Sequence, residues 1–164
     1  MKQKCVPLGT ALVATLLLVH SLRAQTPTSR TEESAVRTFL AEFLSAFDNL
    51  EWDKFRNSFT DDATVFYPRG AANRADGRAQ FEEHFRLVFE QIRAGRTSGP
   101  YMHLEPRDLR VQIIGNAAIV TFQLDDRPGF VNRRTLVLSK AGGVWKIAHL
   151  HASEVAVSSD EGKK

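Results

Sequence analysis

The stretch that most constrains the fold is Leu136 to Ser153, which reads LVLSKAGGVWKIAHLHAS. Two runs of apolar and β-branched residues flank Ala141-Gly142-Gly143, a composition typical of a tight turn. The stretch therefore predicts a β-hairpin whose second strand is anchored by Trp145 and ends at His149-Leu150-His151. We expect the rest of the chain to build helices and further strands around this hairpin.

Two more strands are predicted just before the hairpin. Apolar and polar residues alternate over 109–113, and Gly115-Asn116 is typical of a hairpin turn. The next strand is predicted over 117–124, and the turn sequence DDRPG at 125–129 leads into the hairpin. The second half of the chain is therefore expected to be a four-stranded antiparallel meander.

Helical patterns dominate the first half. Apolar residues recur at helical spacing from Thr31 to Phe47, and shorter helices are predicted over 51–59 and 78–93. One short strand is predicted over 63–67, between the second and third helices. Because helices and strands are segregated, the order predicts an α+β fold with helices on one face of an antiparallel sheet.

The first 24 residues have the layout of a secretory signal peptide. Lys2 and Lys4 precede an apolar run over 11–19, and Leu22-Arg23-Ala24 is an acceptable cleavage signal. The apolar run is short for a membrane span, so an N-terminal anchor is the less favoured alternative. We expect a secreted or periplasmic protein that begins at Gln25 and has no membrane contact after cleavage.

Removing this leader changes the charge of the chain. Three of the 22 basic residues and none of the 19 acidic residues lie in the leader, so the mature net charge falls from +3 to zero. Nucleic-acid binding therefore loses its electrostatic support. The single cysteine, Cys5, also lies in the leader, so the mature chain has no disulfide and depends on its core. A linker is predicted over 25–30, one domain over 31–154, and a polar tail over 155–164.

Two segments carry a resemblance to a known family. They are FTDDATV at 59–65 and GGVWKIAHLHAS at 142–153. With the order of elements, they resemble the SnoaL-like branch of the NTF2-like superfamily over about residues 33–154. The resemblance implies a cone, in which a curved antiparallel sheet wraps a long N-terminal helix with two further helices and leaves a pocket at its open end.

The family that the chain resembles includes ketosteroid isomerase, polyketide cyclases, scytalone dehydratase, limonene epoxide hydrolase and non-catalytic association domains. The ending is most similar to the association domain of calcium/calmodulin-dependent kinase, which reads His-x-His-Arg-Ser. Ala152 replaces that arginine here, so the resemblance does not carry over that domain's anionic-ligand site. The catalytic carboxylates of the isomerases and cyclases are not assigned to positions in this sequence.

His149 and His151 share one strand face and have three interpretations. One is a general base or proton shuttle in a pocket. Another is a metal site completed by His103 or Glu105, although no spacing requires one. The third places both histidines with Trp145 and Ile147 on the outer sheet face, against a partner subunit. With Ala148 and Leu150 on the opposite face, regular alternation makes both faces apolar and predicts a homodimer.

Other polar residues are candidates for a pocket. Tyr101 and His103 are two residues apart just before an apolar strand, so they are expected to share one face. That face lines either the mouth of a pocket or the solvated start of the strand. Arg134 shares the parity of Leu136, so an inward guanidinium that binds an oxyanion is expected unless the strand starts later. Tyr67 ends the first strand, either as a donor to a ligand oxygen or as a rim aromatic.

Three residues on the helices face the same space. Trp52 and Phe55 are interpreted as core residues, and His84 as a hydrogen-bonded core histidine, with a pocket role as the alternative for all three. No cofactor and no metal is predicted. Two functions remain: an exported protein that binds a small, mostly apolar molecule, or an enzyme that performs acid–base chemistry on one as an isomerase, dehydratase, cyclase or hydrolase.

Overall fold

The computed structural model describes residues 27–69, 73–125 and 128–157. The predicted signal peptide, residues 1–24, and most of the predicted tail lie outside these residues. The helices are α1 (Pro27–Asp48), α2 (Trp52–Asn57) and α3 (Arg78–Gly95). The strands are β1 (Phe59–Phe66), β2 (Ala75–Asp76), β3 (Arg107–Ile114), β4 (Ala117–Leu124), β5 (Phe130–Ala141) and β6 (Val144–Ala156).

The strands form one curved, unclosed sheet in the order β2-β1-β6-β5-β4-β3. The predicted meander is confirmed, since β3, β4, β5 and β6 pair consecutively and antiparallel. One pair departs from the antiparallel pattern, because β1 runs parallel to β6. The α+β class and the three helices are confirmed, and the sheet encloses a cone open at one end.

A one-residue bulge in β6 sets which side chains face the inside. Val137 pairs with His149, but the next residue of β5, Leu138, pairs with Ile147, so Ala148 is an extra residue. Trp145 and Ile147 before the bulge, and Leu150 and Ala152 after it, are all buried. The expectation that β6 presents apolar groups on both faces is wrong, because the bulge returns these four side chains to one face.

An aromatic cluster centred on Phe55 joins the three helices. Phe55 of α2 is completely buried, and its ring centroid lies 5.5 Å from Phe43, 4.8 Å from Phe85 and 5.1 Å from Phe89. Phe43 belongs to α1, and the other two partners belong to α3. Such aromatic pairs contribute about 0.5–1.5 kcal/mol beyond the area that they bury. The six-residue α2 is therefore held by its place between two longer helices.

Several boundaries differ from the sequence prediction. α1 begins at Pro27, so residues 27–30 are helical and not a linker, and proline is compatible with a first helical turn. β1 begins at Phe59, inside the predicted second helix. The predicted loop at 69–77 contains the two-residue strand β2, which pairs with β1. β6 continues to Ala156, into the predicted tail.

Within the described ranges, no helix is both long and apolar enough to cross a bilayer.

Candidate functional site

A cavity of about 680 Å³ opens between the inner sheet face, α3 and the loop that follows α3. Its walls are mostly apolar, and side chains from α1, α3, β4 and β6 contribute to them. They include Phe47, Phe85, Val88, Ile92, Leu124 and Leu150. The volume falls within the range of small-molecule sites, which combine apolar walls with a few polar groups. The polar groups of this cavity are Tyr67, His84, Gln91 and three arginines.

Tyr67 follows β1 directly and continues the inward side-chain direction of Val65. Its hydroxyl is buried and has no hydrogen-bond partner within the described part of the chain. Burial raises the pKa of Tyr67 to about 12, because the phenolate would lose its hydration. The side chain therefore stays protonated at physiological pH and presents a hydrogen-bond donor.

His84 of α3 lies directly against Tyr67. The two ring centroids are 3.7 Å apart and the ring planes differ by 30°. Burial lowers the pKa of His84, so its imidazole is neutral at neutral pH. The expectation of a hydrogen-bonded core histidine is wrong, because His84 lines the cavity and its ring nitrogens make no hydrogen bond to any described residue. A neutral imidazole offers one donor and one acceptor.

Three arginines lie on the cavity wall, at positions 69, 96 and 134. Arg69 pairs with Glu154, with 3.4 Å between Nε and Oε2. Arg96 donates from Nη1 to the backbone oxygen of Tyr101. Arg134 lies on β5 opposite Ala152 of β6. Its Nη1 donates to the backbone oxygen of Arg133 at 3.2 Å. The described lining of the cavity contains no aspartate or glutamate.

Asp48, the last residue of α1, shapes one wall of the cavity. Its Oδ1 accepts hydrogen bonds from the backbone nitrogens of Met102 at 2.6 Å and His103 at 2.9 Å. Its backbone oxygen accepts a third from the nitrogen of Tyr101 at 2.8 Å. Met102 and Leu104 then line the cavity. The Asp48 carboxylate therefore accepts backbone hydrogen bonds that a neighbouring strand would accept if this loop were part of the sheet.

The alternation predicted for residues 101–107 is wrong, since this segment is a loop before Arg107. Tyr101 lines a separate, shallower depression with Arg93 and Thr97. His103 is exposed and has a positive φ of 54°, so its side chain does not line the cavity. The side chains of this loop that line the cavity are those of Met102 and Leu104, which alternate with Tyr101 and His103 along the chain.

The remaining sequence candidates lie away from the cavity. Phe55 is in the core, and Trp52 packs against Phe89 with 5.4 Å between ring centroids. His149 and His151 lie on the outer face of the sheet because of the bulge at Ala148.

His149 is tied to the neighbouring strand on that outer face. Its Nδ1 is 2.7 Å from Oγ1 of Thr64 on β1. Burial lowers the pKa of His149, and the positive charges of His151 and Arg74 add to the effect. These contacts assign His149 to the packing of β1 against β6.

Sequence reasoning missed Arg69, Arg96 and Asp48. Arg96 lies in a turn-rich exit from α3 that carried no periodic signal, and Arg69 follows the proline that stops β1. The only signal for Asp48 was its position at the predicted end of α1. Within the ranges that the structure covers, no three histidine, cysteine, aspartate or glutamate side chains are grouped as metal ligands.

Comparison with known proteins identifies the fold as an NTF2-like cone. One similar structure is an NTF2-like protein of unknown function from Pseudomonas putida KT2440, at 21% identity and a TM-score of 0.65, covering 82% of this chain and 94% of that one. The association domain of C. elegans CaMKII is 22% identical, with a TM-score of 0.61 and coverage of 78% and 99%.

A protein from Parabacteroides distasonis, provisionally named a ketosteroid isomerase, is 21% identical with a TM-score of 0.56 and coverage of 73% and 85%. At these identities, the likeness establishes the fold alone. No curated protein matches the chain. The family model for the SnoaL-like domain matches residues 36–158, so this chain belongs to the SnoaL-like domain family.

Proposed function

We propose that this protein binds a small, mostly apolar molecule in the cavity beside Tyr67. The observation that carries the proposal is that Tyr67 lines a cavity of about 680 Å³ and that its buried hydroxyl has no partner among the described residues. A buried donor without an acceptor costs about 1–3 kcal/mol, and a ligand oxygen would recover part of this energy. The apolar walls would contact the rest of the ligand.

Naphthamide is a suitable first probe, because it combines an apolar body with one neutral acceptor oxygen. We expect calorimetry to detect binding to the wild type and a loss of about five- to tenfold in affinity for Tyr67→Phe. Tyr101→Phe is the matched control, since Tyr101 does not line this cavity, and it is expected to bind as the wild type does. Absence of binding, or an equal loss in both variants, would contradict the proposal.

An acid–base enzyme is the second candidate, and the stacking of Tyr67 on His84 supports it. A neutral imidazole can remove a proton from the carbon beside a carbonyl group, while a protonated phenol donates a hydrogen bond to the carbonyl oxygen as it gains negative charge. The imidazole then returns the proton to the carbon two positions beyond the one that lost it. The double bond shifts as a result, and no other reactant is needed. Proteins of this fold provisionally named ketosteroid isomerase and scytalone dehydratase add a precedent at the level of the fold.

Turnover distinguishes the enzyme from the binder. A β,γ-unsaturated cyclic ketone would be converted to its conjugated isomer, which ultraviolet absorbance detects. The enzyme hypothesis expects His84→Gln to abolish turnover and Tyr67→Phe to slow it by about 10²-fold or more. Binding of the ketone without conversion by the wild type would leave only the binding function.

Export and dimerisation are also part of the proposal. The leader sequence supports export, and the test is the intact mass of the protein from a periplasmic or secreted fraction, which should begin at Gln25. A homodimer through the outer sheet face is supported by Phe66 and Ile114, which are 38% and 59% exposed there. Light scattering at micromolar concentration should report twice the monomer mass. A mass for the monomer alone would contradict the dimer.

A further inference from the structure

We propose that the ligand of this cavity is an elongated molecule with a hydrogen-bonding group at each end, and that Gln91 binds the end that lies farther from Tyr67. This inference rests on the proposed binding function and adds the shape of the ligand and a residue that selects it. It starts from the positions of the lining side chains along α3.

α3 supplies one long wall of the cavity. Five of its residues line the cavity at spacings of three, four, seven and eight from the first, which places them on one face of the helix. They are His84, Leu87, Val88, Gln91 and Ile92. A helix rises about 1.5 Å per residue, so His84 and Gln91 are about 10 Å apart along its axis. The cavity therefore extends along α3 for about two helical turns.

Polar and apolar side chains are separated along this wall. His84 lies against Tyr67, whose hydroxyl is buried and has no partner among the described residues. Leu87 and Val88 come next and are apolar, and Gln91 follows one turn later. A ligand that contacts the whole wall therefore meets a polar pair, an apolar stretch and a second polar group about 10 Å from the first. A molecule with an apolar body and a polar group at each end matches this order.

The two ends of the wall differ in their access to water. The hydroxyl of Tyr67 is buried, whereas Gln91 is exposed and Leu87, beside it on the helix, is 55% exposed. The Gln91 end is therefore the open end of the cavity. A polar ligand group there keeps part of its hydration, so it costs little to bind, whereas an apolar end would leave apolar surface in contact with water.

The amide of Gln91 is available to a ligand. Two of the cavity arginines are engaged within the protein, since Arg69 pairs with Glu154 at 3.4 Å and Arg96 donates to the backbone oxygen of Tyr101. The Gln91 amide, in contrast, makes no hydrogen bond to another described residue. A glutamine amide offers donors and an acceptor, so its partner on the ligand can be a hydroxyl, a carbonyl or an amide group.

Two related probes separate this inference from the binding function. 6-Hydroxy-2-naphthamide is 2-naphthamide with one hydroxyl added at the far end of the rings, and both molecules are neutral at about pH 7. We expect calorimetry to give the hydroxylated probe an affinity about three- to tenfold higher, the gain from one added hydrogen bond. Equal affinities would overturn the inference while leaving the binding function intact. If neither probe binds, both proposals fail.

Gln91→Ala tests the residue, and Glu90→Ala is its matched control, because Glu90 is the adjacent exposed residue and does not line the cavity. Gln91→Ala should remove the advantage of the hydroxylated probe and leave the affinity for 2-naphthamide nearly unchanged. Glu90→Ala should keep the advantage. An advantage that persists in Gln91→Ala, or an equal loss of affinity for both probes, would overturn the assignment of Gln91.

The position of the added hydroxyl tests the elongated shape. 4-Hydroxy-2-naphthamide carries its hydroxyl on the same ring as the amide group, so that hydroxyl stays near the Tyr67 end when the amide oxygen binds there. It should bind no more tightly than 2-naphthamide, and Gln91→Ala should not change its affinity. An equal gain from the two hydroxyl positions would overturn the proposed arrangement along α3.

Discussion

The rings of Tyr67 and His84 stack with their centroids 3.7 Å apart, although one follows β1 and the other lies within α3. Each ring removes water from one face of the other. This shared desolvation explains why the pKa of the phenol is raised and the pKa of the imidazole is lowered. Both groups are held in their uncharged forms at the wall of the cavity.

Tyr67→Phe should leave the empty protein as stable as the wild type or stabilise it by up to about 1 kcal/mol. The substitution removes a buried hydroxyl that has no partner among the described residues, while it keeps the ring that packs on His84. Urea denaturation of both proteins measures the difference. A loss of more than about 1 kcal/mol would mean that the hydroxyl makes a hydrogen bond in the folded protein.

The folded protein should lose stability as the pH falls from about 7.5 to 5.5. The pKa values of His84 and His149 are lowered by folding, so the unfolded state takes up protons first as the pH decreases. Stability is therefore complete above the ordinary histidine pKa and declines as the pH passes down toward the folded values. Urea midpoints across this range should show the decline in the wild type.

Substitution of these two histidines should flatten that pH profile. His84→Gln and His149→Gln should each remove part of the slope, and the double variant should remove most of it. His103→Asn is the control, because His103 is exposed and asparagine tolerates its positive φ. An unchanged slope in the double variant would assign the pH dependence to other groups.

Asp48→Ala should destabilise the protein by about 1–3 kcal/mol, since it leaves the backbone nitrogens of Met102 and His103 without their acceptor. Asp48→Asn keeps one acceptor oxygen and should cost less. Hydrogen exchange at residues 102–104 should speed up in both variants more than exchange in the sheet. Glu90→Ala, at an exposed position of α3, is the control. Unchanged exchange in Asp48→Ala would contradict a role of this carboxylate in the cavity wall.

Phe55→Ala should cost about 3–5 kcal/mol, because it leaves a void where α1, α2 and α3 meet. Chemical denaturation gives the value, provided that the variant remains folded. Leu87→Ala removes a side chain that is 55% exposed on α3, and it should change stability by no more than about 0.5 kcal/mol. Similar losses in the two variants would contradict the central position of Phe55.

Two alanines on the inner face of the sheet should respond differently to enlargement. Ala152 borders the cavity, so Ala152→Leu should place the added carbons in open space, cost less than about 1 kcal/mol and weaken naphthamide binding. Ala118 is completely buried and does not line the cavity, so Ala118→Leu should overpack the core and cost about 1–3 kcal/mol. Thermal unfolding and calorimetry on both variants provide the comparison, and equal destabilisation would mean that the space beside Ala152 is filled.

The architecture was predictable from sequence wherever a local pattern decides it. The apolar period of α1 and α3 and the alternation of β3 through β6 are determined by which residues can be buried. The cavity was predicted less well, because its wall depends on contacts between distant residues. Asp48 and the loop at 102–104 are more than 50 residues apart, and no local pattern links them.

The faces of β6 were predicted wrongly for a related reason. Regular alternation places His149 and His151 with Trp145 and Ile147. The sequence contains no marker for the extra residue at Ala148, since alanine is compatible with both a regular strand and a bulge. The register is decided by β5, where Leu138 and Val137 pair with Ile147 and His149. The positions of Tyr67 and Arg134 did not depend on that register, and both residues lie on the cavity wall.

Because of the bulge at Ala148, the bend of β6 and the identity of the side chains that line the cavity can vary independently among relatives of this chain. Loss of this one residue would restore regular pairing and leave every other side chain of β6 on its present face. The bend that a bulge gives a strand would disappear with it. Loss of Ala148 would therefore alter the bend of the strand without altering which side chains line the cavity, whereas a substitution at Ala152 or Arg134 would alter the lining without altering the bend. The gain or loss of this one bulge residue and the substitution of lining residues thus offer two separate routes by which the same cone can be adapted to different ligands.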